Sequence, residues 1–567
     1  MKIRSVDLGT GKWEEQELDH ARLRHFLGGS GLGARILADF DNPSLPPLHV
    51  DLPLILSGGP LAATGFPGAT RLCFVGVSPL TSITAGSWLG GNFSTKFARS
   101  GTHTLVLKGR AREPSIVVLT QDRIEVVPRP DLWGLETSPA RAALLKDYPN
   151  AGIATIGPAG EKLIPFATVR GDEGHMSGRC GMGAILGSKN IKAIVTDGSA
   201  KPSIADPEGL KAVIKEAFTA IKESHFLQDV QGPISTTCLV APINDFQALP
   251  VANHRERFFK TADKITGETI KEKWVVRRTT CPSCPVRCRL HSRVDGKEYE
   301  APEYESLWAL GPENNVDDYP LIVRATDLCN ELGVDTISTG VIVAMYREHA
   351  GTLDDPSDML DLIGKIVAQE GVGKILSRGS REAAGQLGID YAMHVKGLEL
   401  AAYDPRKMTG MALSYSTTNR GGCHTRAWTI NDELSGKEFT GEELAEIVAR
   451  LFDLTCVRDS LIMCTFVDTA VKPLYDRALS CVTGIPFTND ELRVTGERIY
   501  TLERMLNVRR GVRASADVLP ARLRDNMVEP EKYAAGMRHY YTIRGWDADG
   551  RPGAEKLKSL GLEFMIR

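Results

Sequence analysis

The sequence predicts an α+β protein: a β-rich region over residues 1–205, then two mostly helical regions over 206–405 and 406–567. Three observations predict it. Short apolar runs separated by Gly, Pro, Thr and Asp fill the first third, as strands between tight turns require. Apolar residues at three- and four-residue spacing take over after about Ala205. Inside the helical part lies a cysteine loop, Cys281-Pro-Ser-Cys-Pro-Val-Arg-Cys288, around which the rest can be organised.

Strands are expected at Leu52–Leu56, Leu72–Val77 and Thr104–Leu107. Between Phe26 and Arg35 a glycine-rich turn is expected before a helix. Residues 57–92 hold Ser57-Gly-Gly-Pro60, Gly65-Phe-Pro-Gly-Ala-Thr-Arg71, Ser78-Pro-Leu-Thr81 and Gly86-Ser-Trp-Leu-Gly-Gly91. Glycine recurs here wherever a side chain would block a close approach. Arg71, with its fixed fork of donors, is a candidate anion or ring-nitrogen contact. A second glycine-rich stretch begins at Gly178 and runs to Lys189. Hairpin turns alone would account for either stretch; two of them in one β region point to a large phosphate-bearing cofactor.

Helices are expected over Glu208–Ile221, Leu321–Glu331, Gly441–Leu454 and Asp490–Arg509. Ala301-Pro-Glu-Tyr-Glu-Ser-Leu-Trp308 follows the cysteine loop with two carboxylates two residues apart. Asp335, in Gly333-Val-Asp-Thr-Ile-Ser-Thr-Gly340, reads as a helix N-cap. Asp459, in Asp459-Ser-Leu-Ile-Met-Cys464, matches it in register, with Cys464 where the first motif has Gly340. Two copies of one capped-helix device are therefore expected to face one another. Asn419-Arg-Gly-Gly-Cys-His424 reads as a polar loop presenting Cys423 and His424.

Cys281, Cys284 and Cys288 fall within eight residues as C-x2-C-x3-C. Soft thiolates select iron–sulfur clusters, zinc or copper(I). A cubane cluster takes four thiolates, so a fourth must come from elsewhere. Zinc also uses C-x2-C, but no partner C-x2-C or H-x3-H follows. The cluster is the favoured reading, and a zinc-stabilised binding protein is the alternative.

Composition excludes several classes. Of 567 residues, 42% are hydrophobic and 25% charged, an ordinary globular balance. The net charge of −3 gives no electrostatic footprint for nucleic acid or an anionic membrane. Without a signal core or a long apolar run, the expectation is a cytoplasmic protein with no membrane insertion. Eleven cysteines scattered through so long a chain suit reduced thiols, some of them ligands, rather than a disulfide framework.

Taken together, Gly65–Arg71, Ser78–Thr81, Arg179-Cys-Gly-Met-Gly-Ala184, Cys281–Cys288, Pro302-Glu-Tyr-Glu305, Asp335–Gly340, Arg420-Gly-Gly-Cys-His424 and Asp459–Cys464 resemble the tungsten-dependent aldehyde:ferredoxin oxidoreductases over essentially the whole chain. The resemblance implies a β base under a bis-pterin cofactor of tungsten or molybdenum, with two helical domains closing over it. It implies a [4Fe–4S] cluster on Cys281, Cys284, Cys288 and Cys464, and a magnesium ion between the pterin phosphates near the Trp88 and Cys180 carbonyls. The family often has Asn where this chain has Trp88, so only a backbone contact carries over there. Cofactor contacts are implied at Arg71, Trp88, Gly90, Gly91, Arg179, Cys180, Met182, Gly183, Asp335, Gly340, Asp459 and Thr465. Glu305 and His424 are implied as proton-transfer groups, with Tyr304 and Tyr403 lining the pocket; Glu303 reads as solvated.

The implied reaction oxidises a small aldehyde to an acid and passes electrons to ferredoxin or to an iron–sulfur electron-transfer subunit, in a homo-oligomer or a hetero-oligomer. The alternative is the catalytic subunit of a benzoyl-coenzyme A reductase-type complex. Residues Asp327-Leu-Cys-Asn-Glu-Leu332 lack the Glu-x-x-His by which some members hold an iron between subunits, so none is expected.

Overall fold

The computed structural model of the protein describes residues 1–40 and 42–566. Its N-terminal part holds two six-stranded mixed sheets. The first contains β1 (Lys2–Asp7), β2 (Trp13–Glu17), β3 (Leu54–Ser57), β4 (Leu72–Val77), β5 (Thr84–Leu89) and β6 (Thr102–Lys108), in the order β2-β1-β6-β3-β4-β5. Only the β1–β6 pair is parallel. The second contains β7 (Ser115–Thr120), β8 (Ile124–Pro128), β9 (Gly152–Thr155), β10 (Val169–Arg170), β11 (Met176–Ser177) and β12 (Ile191–Asp197), in the order β11-β10-β9-β12-β7-β8.

Strand alternation explains why β4 is buried at every position. Leu72 and Phe74 join Leu54, Leu56, Leu105 and Leu107 in the large core shared with the second sheet. Cys73, Val75 and Val77 point the other way, with Ile55 and Val106, toward helix Gly29–Phe40 and the C-terminal helices. A strand covered on both faces reads as a continuous apolar run.

The glycine-rich run at Phe26–Arg35 turns only at Leu27–Gly28, just before the expected helix. Most of it lies inside helix Gly29–Phe40, where its glycines bring backbone against backbone. A Cβ on Gly33 would come within 2.5 Å of Val75 Cγ2, and one on Gly29 would collide with the Asp459 carbonyl. Gly31 N also donates to Ser460 Oγ at 3.0 Å. The run is thus a packing surface that joins the first sheet to the segment around Asp459.

The expected helices form as Pro207–Glu223, Tyr319–Leu332, Gly441–Ser460 and Asn489–Arg509. Capping boxes start the last two, Thr440 with Glu443 and Thr488 with Glu491. Helix Gly441–Ser460 runs six residues past its expected end, and this overturns the idea of two equivalent capped helices. Asp335 is an N-cap, accepting from Ile337 N at 3.0 Å. Asp459 lies in the last turn of its helix. The apolar pattern fades after Leu454, yet the residues beyond are buried and held by ion pairs of Asp459 with Arg426 and Arg458.

The cysteine loop is set in a small antiparallel sheet that periodicity did not reveal. It joins β13 (Val275–Thr279) to β14 (Arg289–Val294), which pairs onward with β15 (Lys297–Glu300). Among the described residues no helix is long and apolar enough to cross a membrane.

Candidate cofactor and active site

The loop after β13 turns its three thiols inward, with Ser283 and Arg287 in the left-handed region at φ 57° each. Cys464 approaches as the residue before helix Thr465–Val471. Cys284, Cys288 and Cys464 pack on one apolar cluster that includes Val286, Ile462, Met463 and Val467. All four cysteines are free. Burial pushes the Cys281 thiol up to about 12, with the Cys464 charge the next cause. The same two causes raise Cys284 and Cys288. The four sulfurs therefore share one poorly solvated corner, where a metal centre can replace the protons. Among the described residues no three His, Cys, Asp or Glu side chains close on a point small enough for one metal ion.

The Gly65–Arg71 loop clamps this corner to the β platform. Cys464 N donates to Gly68 O at 2.9 Å, and Arg71 N to Ile462 O at 3.3 Å. Arg71 reaches Thr465 Oγ1 at 3.1 Å and Cys464 Sγ at 3.7 Å. A Cβ on Gly68, at φ +87°, would strike Val467, so the clamp closes only around glycine.

Beside the corner lies a chamber of buried arginines. Arg179 donates to Asp335 Oδ2 at 3.1 Å and to the Glu399 and Gly422 carbonyls. Arg426 donates to Asp459 Oδ2 at 3.0 Å and to Glu503 Oε2 at 2.7 Å. Arg458 holds the other Asp459 oxygen at 3.1 Å. Arg420 faces two thiols, Cys180 Sγ at 3.2 Å and Cys423 Sγ at 3.3 Å, and lies 5.0 Å over the Trp88 ring. Burial leaves the Cys180 thiol raised despite the Arg420 charge, whereas at Cys423 burial is outweighed by Arg420, Thr425 and Arg179 and the pKa is lowered. Asp335 and Asp459 are thus alike after all, through arginine pairing rather than capping.

The other expected cofactor residues are placed differently. Gly183 packs against the Thr168 carbonyl and Gly340 against the Ala309 carbonyl, so both meet protein backbone. Met182 is fully buried in the core. Gly90 and Gly91 face the His175 ring. The crevice beside Arg420 and Arg426, also lined by Gly86, Asn419 and Glu503, has about 10 Å³ of water-sized space.

Glu305 and His424 meet at the far side of the chamber. Glu305 sits in the first turn of helix Tyr304–Leu310, whose exposed N-cap is Glu303. His424 Nε2 lies 3.3 Å from Glu305 Oε1. Ala402 N donates to Glu305 Oε2 at 3.1 Å. Burial pushes Glu305 up to about 8, opposed by the Ala402 amide and the Arg179 charge. Burial, then Arg179 and Arg420, push His424 down to about 3. Near neutral pH the carboxyl holds a proton and the imidazole is neutral. Glu305 Oε1 and His424 Nδ1 are buried without a hydrogen-bond partner, two polar atoms that a ligand would satisfy.

Tyr304 does not point its hydroxyl at a substrate. The hydroxyl donates to Ala402 O at 2.9 Å, steadying the same residue whose amide holds Glu305. Tyr403 does face the pair, its ring 5.9 Å from His424 and 6.4 Å from Trp428. Sequence reasoning missed Tyr415, whose buried hydroxyl has no partner and whose pKa is raised by burial and next by the Glu305 charge. It lies on the buried helix Thr409–Thr417, where nothing marks it from a core residue. His175, whose Nε2 is 3.4 Å from Cys281 Sγ, was missed as well.

A two-sheet platform, a four-thiol corner and a basic chamber with an acid–imidazole pair define a redox-enzyme architecture. The chain belongs to the aldehyde ferredoxin oxidoreductase family: residues 3–198 match "Aldehyde ferredoxin oxidoreductase, N-terminal domain" and residues 212–562 match "Aldehyde ferredoxin oxidoreductase, domains 2 & 3". It is 33% identical to the tungsten-containing aldehyde ferredoxin oxidoreductase of Pyrococcus furiosus, over 98% of each chain. It is 27% identical to the WOR-like subunit of an aliphatic sulfonate oxidoreductase from the same organism, over 99% of this chain and 96% of that one. Its fold is similar to a chain of the active-site complex BamBC of benzoyl coenzyme A reductase with 1,5-dienoyl-CoA, with a TM-score of 0.88 at 23% identity, covering 100% of this chain and 97% of that one.

Proposed function

We propose that this chain is a bis-pterin oxidoreductase of tungsten, or molybdenum, that oxidises a small aldehyde to the carboxylic acid. One [4Fe–4S] cluster on Cys281, Cys284, Cys288 and Cys464 would pass electrons to ferredoxin or to an iron–sulfur partner subunit. The observation that carries the reading is the Glu305–His424 pair, 3.3 Å apart with unsatisfied polar atoms, facing a chamber of buried arginines. Arg420, paired with thiols rather than carboxylates, suits an anionic ligand such as a pterin phosphate or dithiolene. Asp335 and Asp459 would each hold one pterin, with a magnesium ion near the Trp88 and Cys180 carbonyls.

When bound, the metal would supply the two-electron chemistry and polarise the carbonyl. The residues do the rest. Oxidation of an aldehyde by water releases two electrons and two protons. The Glu305 carboxyl passes its proton to neutral His424 Nε2, 3.3 Å away, and takes one product proton in its place; the second product proton is released to solvent. Tyr403 closes the pocket beside them, and Tyr304 fixes Ala402 and thereby Glu305. Arg71, bonded to Thr465 and Cys464, ties the chamber to the cluster corner.

The test is aldehyde-dependent reduction of a viologen dye by the anaerobically purified chain. Turnover of small aldehydes by the chain alone supports the reading. The full-length likeness to the benzoyl coenzyme A reductase complex favours a second reading, a catalytic subunit within a larger reductase. That reading predicts no aldehyde turnover by the isolated chain.

A further inference from the structure

His175 reaches the thiol corner from the N-terminal part, four residues before Arg179. Its Nε2 is 3.4 Å from Cys281 Sγ, and its Nδ1 is 3.3 Å from Arg289 Nη1. A guanidinium nitrogen only donates, so Nδ1 accepts. The single proton of the neutral ring then sits on Nε2, the atom facing Cys281. Arg289 is fixed in turn by Glu300, with Nη2 3.2 Å from Oε2. The ring is also clamped sideways: a Cβ on Gly90 would come within 2.8 Å of Nδ1, and one on Gly91 within 2.5 Å of Cδ2. The chain Glu300–Arg289–His175 therefore sets both the orientation and the tautomer of the imidazole.

We propose that His175 donates an N–H···S hydrogen bond to the Cys281 thiolate and so raises the reduction potential of the cluster bound there. The inference rests on the cluster reading above. Reduction adds negative charge to a cluster, and a donor aimed at a ligand sulfur stabilises that charge. Arg289, on the strand that leaves the cysteine loop, holds the donor in register with the thiol. His175 is a positioning residue of the redox centre and touches no substrate.

The experiment is a redox titration of the cluster's paramagnetic signal, with iron counted per chain, in wild type, His175→Phe and His175→Gln, all purified anaerobically. Phenylalanine keeps the ring and removes the donor; the glutamine amide can place an N–H near the Nε2 position. The expected result is full iron in all three, a midpoint shifted to lower potential in His175→Phe, and a return toward wild type in His175→Gln. A wild-type midpoint in His175→Phe with full iron overturns the proposal and leaves the cluster assignment standing. Loss of iron from both variants also overturns it, because His175 would then hold the corner together rather than tune it. A wild-type chain without a four-iron cluster removes the cluster reading, and this inference with it.

Discussion

Glu305 and His424 stand 3.3 Å apart on separate segments, and burial moves their pKa values past each other, Glu305 up to about 8 and His424 down to about 3. Each group is held neutral at the pH where it would ordinarily be charged or close to it. The pair is poised to move protons because neither member is locked in a salt bridge.

Removing either member should slow turnover. A positioned acid or base contributes about 10²–10⁴-fold. Glu305→Gln and His424→Asn should lose activity on that scale, in kcat more than KM, while keeping metal and cluster. The exposed Glu303→Gln should be much milder. A dead Glu303→Gln beside a near-normal Glu305→Gln would mean that the wrong carboxylate has been chosen.

The same shifts set a signed pH dependence of stability. The folded pKa of Glu305 lies above the ordinary carboxyl value of 4.5, so its contribution is fully present below 4.5 and is lost as pH rises through about 8. His424 lies below the ordinary imidazole value of 6.5, so its contribution is present above 6.5 and is lost as pH falls toward about 3. Tm of wild type relative to Glu305→Gln should therefore fall between pH 4.5 and 8. Parallel Tm curves over that window would show that Glu305 titrates normally.

Cys464→Ala should lose cluster iron, because its thiol shares the corner with Cys281, Cys284 and Cys288. Cys481→Ser, whose thiol faces Asp206, should keep it. Full iron and an unchanged reduced-state signal in Cys464→Ala would remove this cysteine from the ligand set.

Asp335→Asn and Asp459→Asn keep shape and remove the charge that faces Arg179 and Arg426. Each should lower the pterin recovered per chain. Two pterins per metal in both variants would sink the assignment.

Gly29→Ala should weaken the fold and disturb the same site, because its Cβ would collide with the Asp459 carbonyl at φ +43°. Overpacking of this kind costs about 1–3 kcal/mol. Denaturant midpoint and pterin content should fall together; a variant with wild-type values of both would show that the contact is slack.

Much of this was legible in the sequence, for identifiable reasons. Strand runs and helix periods located β4 and helix Asn489–Arg509 because burial on one or two faces writes itself into apolar spacing. The cysteine loop and the segments carrying Glu305 and His424 were legible from residue types whose chemistry is narrow. The Asp335–Asp459 equivalence was read as helix capping because spacing cannot show where a helix held by buried ion pairs stops. Gly29, Gly31 and Gly33 looked like a turn, since composition does not separate backbone freedom from close packing. His175 and Tyr415 left no signal: each acts through neighbours more than 100 residues away, Cys281 for one and Glu305 for the other.

The most direct test of the account is elemental and cofactor analysis of the anaerobically purified protein. Four irons, one tungsten or molybdenum and two pterins per chain are expected, with Cys464→Ala losing the iron. Zinc as the only metal, with no pterin, would contradict it.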